Sequence, residues 1–386
     1  MSLFSRKTRL LRAIVRVFTR YIFGKRGQRR VHALRLFYRL RVEILVAGDD
    51  DVVGIARAAD VRIWVDGIEA FPRLEQLIRR ARHAVVVQMF LWRDDGTGKR
   101  IASLLVEAAD RGIRVDVTKE SVGDMFEVPL DFLGTRTSND IVWQRFWSHP
   151  RIAVHYVKHN DHAKVFVIDN QILVLTGMNI ADEYRFDWHD YMVELRGEDI
   201  VRKYMAREDS PFPSSTRLIM NTEDRCEIRP VTMHLLHSAQ STIEIEHCYL
   251  SDPEVVDTLI EATKRGVRVT AILPARKDIH DSANMFAVGK LLAECHPGKI
   301  QVFLFPRVVH GKIVLVDRSI AFLGSANLMK SSLDDMGEVN VLIEGARRRE
   351  IRKLIDTFSQ DLLMSRPVSS PPHLAWLARV LAWLWM

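Results

Sequence analysis

The sequence predicts an α/β fold built by duplication, and three observations carry that expectation. The octet His162-Ala163-Lys164-Val165-Phe166-Val167-Ile168-Asp169 returns as His310-Gly311-Lys312-Ile313-Val314-Leu315-Val316-Asp317, 148 positions later. The same offset pairs Asn179 with Asn327, Asp190 with Glu338, and Arg151 to Val154 with Lys299 to Val302. Strand-like and helix-like stretches alternate through both halves, the pattern of a layered α/β domain. A chain of 386 residues, 47% of them hydrophobic, suits two domains of ordinary size or one domain formed by duplication. One copy of so short a motif is weak evidence; two copies with matching downstream residues are strong.

Taken in order, residues 1–48 form a basic arm. Residues 1–42 hold 13 Lys and Arg and no acid, while the whole chain is +7, so the remainder is net −6. Leu10, Ile14, Val17 and Tyr21 follow one face of a helix; Arg9, Arg12, Arg16 and Arg20 follow another. The arginines argue against a transmembrane span, each costing about 2.5–3.5 kcal/mol at the bilayer centre. They also interrupt any signal-peptide core. An interfacial helix fits, apolar face in the acyl boundary and arginines on anionic head groups. A second basic amphipathic stretch runs through Leu34, Phe37 and Leu40.

Gly48 to Asp51 reads as a linker. The first repeat then spans 60–205, with a strand at 61–65, a helix at 74–82, a strand at 84–91 and a helix at 101–110. Asp94 to Lys99 lacks the spacing of a phosphate loop and reads as a turn. Residues 206–225, with Pro211 and Pro213, read as the linker between halves. The second repeat spans 226–362, with a helix at 231–240, a strand at 243–249 and a helix at 255–264. Arg265-Gly266-Val267-Arg268-Val269 nearly copies residues 111–115. Residues 366–386 read as a Pro/Ser linker and a Trp-rich amphipathic tail. Trp376, Trp383 and Trp385 suit a membrane interface. The alternative, second to the interface, is a terminal helix docked on the body or on a second copy, so a homo-oligomer is among the expected arrangements. Cys226, Cys248 and Cys295 have no metal-like spacing and read as reduced core thiols.

The run after each motif histidine is apolar and β-branched, hence a strand. Alternation puts His162 and Lys164 on one face, and likewise His310 and Lys312. Asp169 and Asp317 fall at the strand ends, where they hold local structure. One His and one Lys from each half invite a shared site where the halves meet. Two imidazoles and two ammonium groups suit phosphodiester chemistry. Lysines neutralise the non-bridging oxygens. One imidazole attacks phosphorus, and the other protonates the leaving alcohol and deprotonates the incoming one. Asp190 and Glu338, each 28 positions after a histidine, could fix imidazole tautomers. Asn179 and Asn327 can donate to phosphoryl oxygens. No metal cluster is visible in the sequence, and this chemistry requires none.

These residues resemble the phospholipase D superfamily, whose signature is this paired motif, over roughly residues 60–362. Within it the chain is similar to the bacterial cardiolipin synthase group. The pointers are Thr176 to Tyr184, Trp188-His189-Asp190, and Gly324-Ser325-Ala326-Asn327-Leu328. The resemblance implies two repeats, each a mixed β-sheet flanked by helices, about a pseudo-twofold axis with the active site between them. It implies a catalytic set of His162, Lys164, Asp169, His310, Lys312, Asp317, Asp190 and Glu338, with His162 as nucleophile and His310 as acid/base. Phosphate would meet Asn179, Asn327 and Ser325, and no cofactor or metal is expected. The chain departs from the pattern at Gly177, where the second repeat has Ser325. It departs again at the N-terminus, where many cardiolipin synthases carry two membrane spans and this chain has the basic arm.

The expected function is a membrane-associated phosphatidyl transferase, at the cytoplasmic face of a bacterial inner membrane. Its partners would be phospholipids such as phosphatidylglycerol and an anionic membrane surface met by the arm. A hydrolase differs only in using water as acceptor. A nuclease of the same superfamily is the second alternative; the acidic body argues against a nucleic-acid partner. An inactive membrane scaffold is the third, and intact His and Lys in both halves argue against it.

Overall fold

The structure, a computed structural model, describes residues 60–121, 123, 140–157, 161–206, 215–275, 281–345 and 348–370. The basic arm, the Gly48 to Asp51 linker, Pro211 and Pro213, and the tail from 371 onward lie outside these residues. Those described belong to one unit, Gly54–Met386.

The first repeat forms a seven-stranded sheet. Its strands are β1 (Asp60–Val65), β2 (Ala84–Met89), β3 (Arg114–Glu120), β4 (Ile152–Val157), β5 (Lys164–Ile168), β6 (Ile172–Thr176) and β7 (Tyr191–Arg196). They run in the order β1-β7-β6-β5-β2-β3-β4. The second sheet repeats this layout with β8 (Thr216–Asn221), β9 (Thr242–His247), β10 (Arg268–Pro274), β11 (Ile300–Phe305), β12 (Lys312–Val316), β13 (Ile320–Gly324) and β14 (Glu338–Glu344). Their order is β11-β10-β9-β12-β13-β14-β8, and a two-residue strand β15 (Arg366–Pro367) adds beside β11. In each sheet the first three strands of the βαβ part pair in parallel and the hairpin strands antiparallel. The duplicated mixed-sheet architecture is therefore borne out.

After their first residue, Lys164 or Lys312, both motif strands are apolar at every position because both of their faces are covered. Phe166 and Ile168 enter a core shared with the helices α1 (Asp66–Arg80), α2 (Gly96–Asp110) and α3 (Ile141–Ser148). Val165 and Val167 point the other way, into a core that also holds Ile313, Leu315, Leu323 and Val341 of the second sheet. That central core joins the halves. Each fully buried aliphatic side chain there contributes about 1.5–3 kcal/mol.

Several local readings change. The helix expected at 74–82 begins at Asp66, so Pro72 lies within it. The helix expected at 101–110 begins at Gly96, because the Asp95 carboxylate accepts from the Gly98 N–H at 2.8 Å and caps it. Much of the stretch read as a turn is therefore its first helical residues. Within the stretch read as linker, residues 216–221 are the strand β8, paired antiparallel with β14. Arg366 and Pro367, read as linker, pair with β11, and the Val368 N–H continues to the Val302 carbonyl at 2.8 Å. Among the described residues no helix is long and apolar enough to cross a membrane.

Candidate active site

The motif aspartates explain why the strands sit where they do. Asp169 and Asn170 both have φ of 53°, and Asp317 and Arg318 both 51°, so each begins a tight turn in the left-handed region. The Asp169 carboxylate also accepts the N–H groups of Arg82, His83 and Ala84 at 2.7–3.1 Å. The Asp317 carboxylate does the same for Gln240, Ser241 and Thr242 at 2.7–2.9 Å. Those amides lead into β2 and β9. Asp169 and Asp317 stand at the far ends of β5 and β12 from the histidines, so their inclusion in the catalytic set is corrected: they fix local structure.

At the near ends, His162 and His310 precede the strands and Lys164 and Lys312 begin them. All four are buried. The pairing with carboxylates is crossed. His162 Nδ1 lies 2.9 Å from Glu338 Oε1, in the other repeat, and His310 Nδ1 lies 2.8 Å from Asp190 Oδ2. The backbone is crossed too: the His162 N–H donates to the Gly337 carbonyl at 2.8 Å, and the His310 N–H to the His189 carbonyl at 2.7 Å. A carboxylate on Nδ1 selects the tautomer that presents Nε2 to a reacting atom. The lysine ammonium groups donate to the carbonyls of their own histidines, Lys164 to His162 at 2.5 Å and Lys312 to His310 at 2.6 Å. That leaves each with further N–H donors.

Burial sets the electrostatics. It pushes both imidazoles below their ordinary value, and the nearby lysines push the same way, with His310 moved further than His162. Lys312 acts on His162, and Lys164 on His310, so the four groups form one coupled centre. Burial also brings Lys164 down to about 7. The two carboxylates differ. Burial lifts Asp190 to about 7, with the Tyr191 N–H at 2.7 Å as its other close donor besides His310. Burial would lift Glu338 as well, but His162, Lys164 and Ser325 outweigh it and hold Glu338 below the usual carboxylate range. Ser325 Oγ donates to Glu338 at 2.5 Å and Ser332 Oγ at 2.6 Å.

Two of the three expected phosphate ligands, Asn179 and Ser325, hold protein groups. Asn179 accepts from the Leu91 N–H at 3.1 Å and donates to the Tyr184 hydroxyl at 2.8 Å, so its amide ties the loop after β2 to the short helix Asp182–Phe186. Asn327 is buried too, and its side-chain oxygen lacks a hydrogen-bond partner. Ser325 serves Glu338 and accepts from the Val339 N–H at 3.0 Å. Gly177, its counterpart, has no room for a side chain: a Cβ there would lie 2.5 Å from an Asp190 oxygen.

Other residues at the centre escaped the sequence reading. Phe90 meets His162 edge-on at 4.9 Å, and Tyr184 meets His310 edge-on at 5.1 Å, with Trp188 at 5.3 Å. The same offset leads from Ser332 to Tyr184, whose hydroxyl accepts from Asn179, whereas Ser332 donates to the carboxylate. Arg307 holds the Trp188 loop, donating to the carbonyls of Asp187 and Trp188 at 2.8 and 3.0 Å.

Two imidazoles, two lysines and crossed carboxylates at the junction of duplicated α/β repeats define a two-histidine phosphodiester centre of the phospholipase D superfamily. The sequence matches the family described as cardiolipin synthase, PLD-like domain, over residues 74–209 and 232–362, and the chain belongs to that family. It is 26% identical over 318 residues to cardiolipin synthase B of Shigella flexneri, covering 73% of this chain and 76% of that one. A cardiolipin synthase of Halalkalibacterium halodurans is 25% identical over 367 residues, covering 85% and 71% respectively. Among solved structures, phosphatidylserine synthase of Haemophilus influenzae shares the fold, with a TM-score of 0.65 at 13% identity over 85% of this chain and 94% of that one.

Proposed function

We propose that the chain is a membrane-associated phosphatidyl transferase working through a phosphohistidine. The crossed histidine–carboxylate pairs carry this reading, because they supply two oriented imidazoles to one phosphorus atom. The cardiolipin synthase relatives support a phospholipid donor and a lipid hydroxyl acceptor.

His162 is the nucleophile in this reading. Glu338 receives two serine hydroxyls and stays an ionised acceptor, so His162 carries its proton on Nδ1 and its lone pair on Nε2. Nε2 attacks phosphorus and the bond to the leaving glycerol oxygen breaks. That oxygen takes a proton from His310 Nε2, so this reading has His310 enter as an imidazolium paired through Nδ1 with Asp190, against the pull of burial and the lysines. The acceptor hydroxyl then returns a proton to His310 as its oxygen attacks phosphorus and frees His162. Lys164 and Lys312 neutralise the non-bridging oxygens throughout. Residues 1–48 would hold the enzyme on anionic lipid, at the cytoplasmic face of the inner membrane.

The test is incubation of purified protein with labelled phosphatidylglycerol and, separately, with single-stranded DNA. Cardiolipin plus glycerol is the expected product. Phosphatidic acid as sole product would replace the transferase with a hydrolase, and cut DNA with intact lipid would replace both with a nuclease.

A further inference from the structure

Directly behind His310 lies a second buried polar cluster. His189, whose carbonyl receives the His310 N–H, Glu246 on β9, and Asp361 on the helix α4 (Arg349–Met364) converge there. They are 2%, 0% and 3% exposed. We propose that His189, Glu246 and Asp361 form a structural site for a divalent metal ion, zinc first among candidates, that clasps the two halves together.

Geometry carries the proposal. Around His189 Nε2 stand the Tyr191 hydroxyl at 2.9 Å, Glu246 Oε1 at 3.0 Å and Asp361 Oδ2 at 3.3 Å. The three ligand atoms offered by His189, Glu246 and Asp361 all lie within 4.8 Å of one another. Zinc bonds of about 2.0–2.2 Å in a tetrahedron set neighbouring ligands about 3.4 Å apart, close to the spacings found. The Tyr191 hydroxyl gives its hydrogen to Glu246 Oε1 at 3.0 Å, and the one hydrogen that His189 Nε2 can carry does not serve both the hydroxyl oxygen and Asp361 Oδ2. Asp361 Oδ2 and Glu246 Oε2 are in fact buried without a hydrogen-bond partner. Orphaned charged acceptors cost more than the ~1–3 kcal/mol of a neutral one, and a cation removes that cost.

Charge and orientation agree. His189 Nδ1 lies 2.7 Å from Asp66 Oδ1, the carboxylate–histidine arrangement that turns Nε2 toward a metal. Asp66 is balanced by Arg307 at 2.8 Å, so Glu246 and Asp361 face His189 Nε2, whose proton a divalent ion would replace. One imidazole with carboxylates suits zinc or manganese. Among the described residues the first repeat has no copy of the cluster. The position matching Glu246 is Gln88, which accepts from the Tyr204 hydroxyl. The site breaks the duplication and is separate from the reacting groups.

The full-length protein is purified without chelator and analysed for metal. About one ion per chain is expected. Chelator should lower Tm, and ZnCl2 or MnCl2 should restore it. Asp361→Asn and Glu246→Gln should each abolish uptake, the latter restoring the residue of the first repeat. Asp66→Asn should weaken it ~10–100-fold. Metal-free protein whose Tm ignores chelator, ZnCl2 and MnCl2 overturns the proposal. So does undiminished metal in a folded Glu246→Gln variant, which would place the ion elsewhere.

Discussion

The two repeats share a fold but support their carboxylates differently. Glu338 is held by Ser325, Ser332 and His162, three donors on one carboxylate. Asp190, one methylene shorter, fits against Gly177, where no side chain can stand, with a single close backbone donor from Tyr191. The halves are duplicates in backbone and opposites in how firmly each carboxylate is held. Identical copies would give two equal imidazoles, and a displacement in two steps needs unequal ones.

The sharpest way to break this comparison is to remove each ring. His162→Ala should cost ~10⁴-fold or more in kcat and leave no covalent adduct. His310→Ala should cost ~10²–10⁴-fold. With a nitrophenyl phosphodiester, whose leaving group needs no proton, His310→Ala should still trap phosphoprotein, seen by mass spectrometry. Adduct on His310 in a His162→Ala protein would reverse the roles.

Gly177→Ser asks whether the first half can be rebuilt like the second. The new side chain would collide with Asp190, so a loss of about 1–3 kcal/mol in stability and a large fall in turnover are expected. Thermal melts and steady-state rates on one preparation check both. An unperturbed variant would mean that Asp190 is not pressed against Gly177. Ser332→Ala removes one donor from a buried carboxylate, worth about 1.5–3 kcal/mol. It should slow the step that forms the adduct more than the step that breaks it, which single-turnover kinetics resolves.

The smallest effect is on pH dependence. His162 must be neutral to attack, and burial lowers its pKa, so the acid limb of kcat/KM should fall below the ordinary histidine value of 6.5. Lys164 must be charged, and burial brings it to about 7, so kcat/KM should decline as pH rises through that region. Saturating anionic substrate favours the ammonium form and should move the alkaline limb of kcat upward. A profile flat to pH 9 would remove Lys164 from the charge balance.

Much of this was legible in the sequence. The repeated octet placed both strands and the two His–Lys pairs, because a strand buried on both faces leaves a continuous apolar run. Their place at the strand ends marked Asp169 and Asp317 as structural, against the catalytic part that the resemblance gave them. The 28-residue spacing singled out Asp190 and Glu338, but spacing is blind to which half a side chain reaches. The crossing comes from sheet-on-sheet packing, which no local pattern encodes. Asn179 and Ser325 misled for a related reason. A polar side chain beside a motif can serve a ligand or the backbone, and only coordinates tell these apart. The strand at 216–221 was hidden by the prolines just before it. The helix Asp281–Glu294 has apolar residues spread around its circumference and gave no stripe to follow.

The reciprocal backbone bonds, His162 to Gly337 and His310 to His189, have an evolutionary reading. Neither copy is self-sufficient: each lends its partner the acid that aims a ring. A lone repeat could assemble such a centre only by meeting another like itself, and would then be bound to perfect symmetry. Fusing the genes for two copies released them from that constraint, and Ser332 opposite Tyr184 is a mark of the freedom gained.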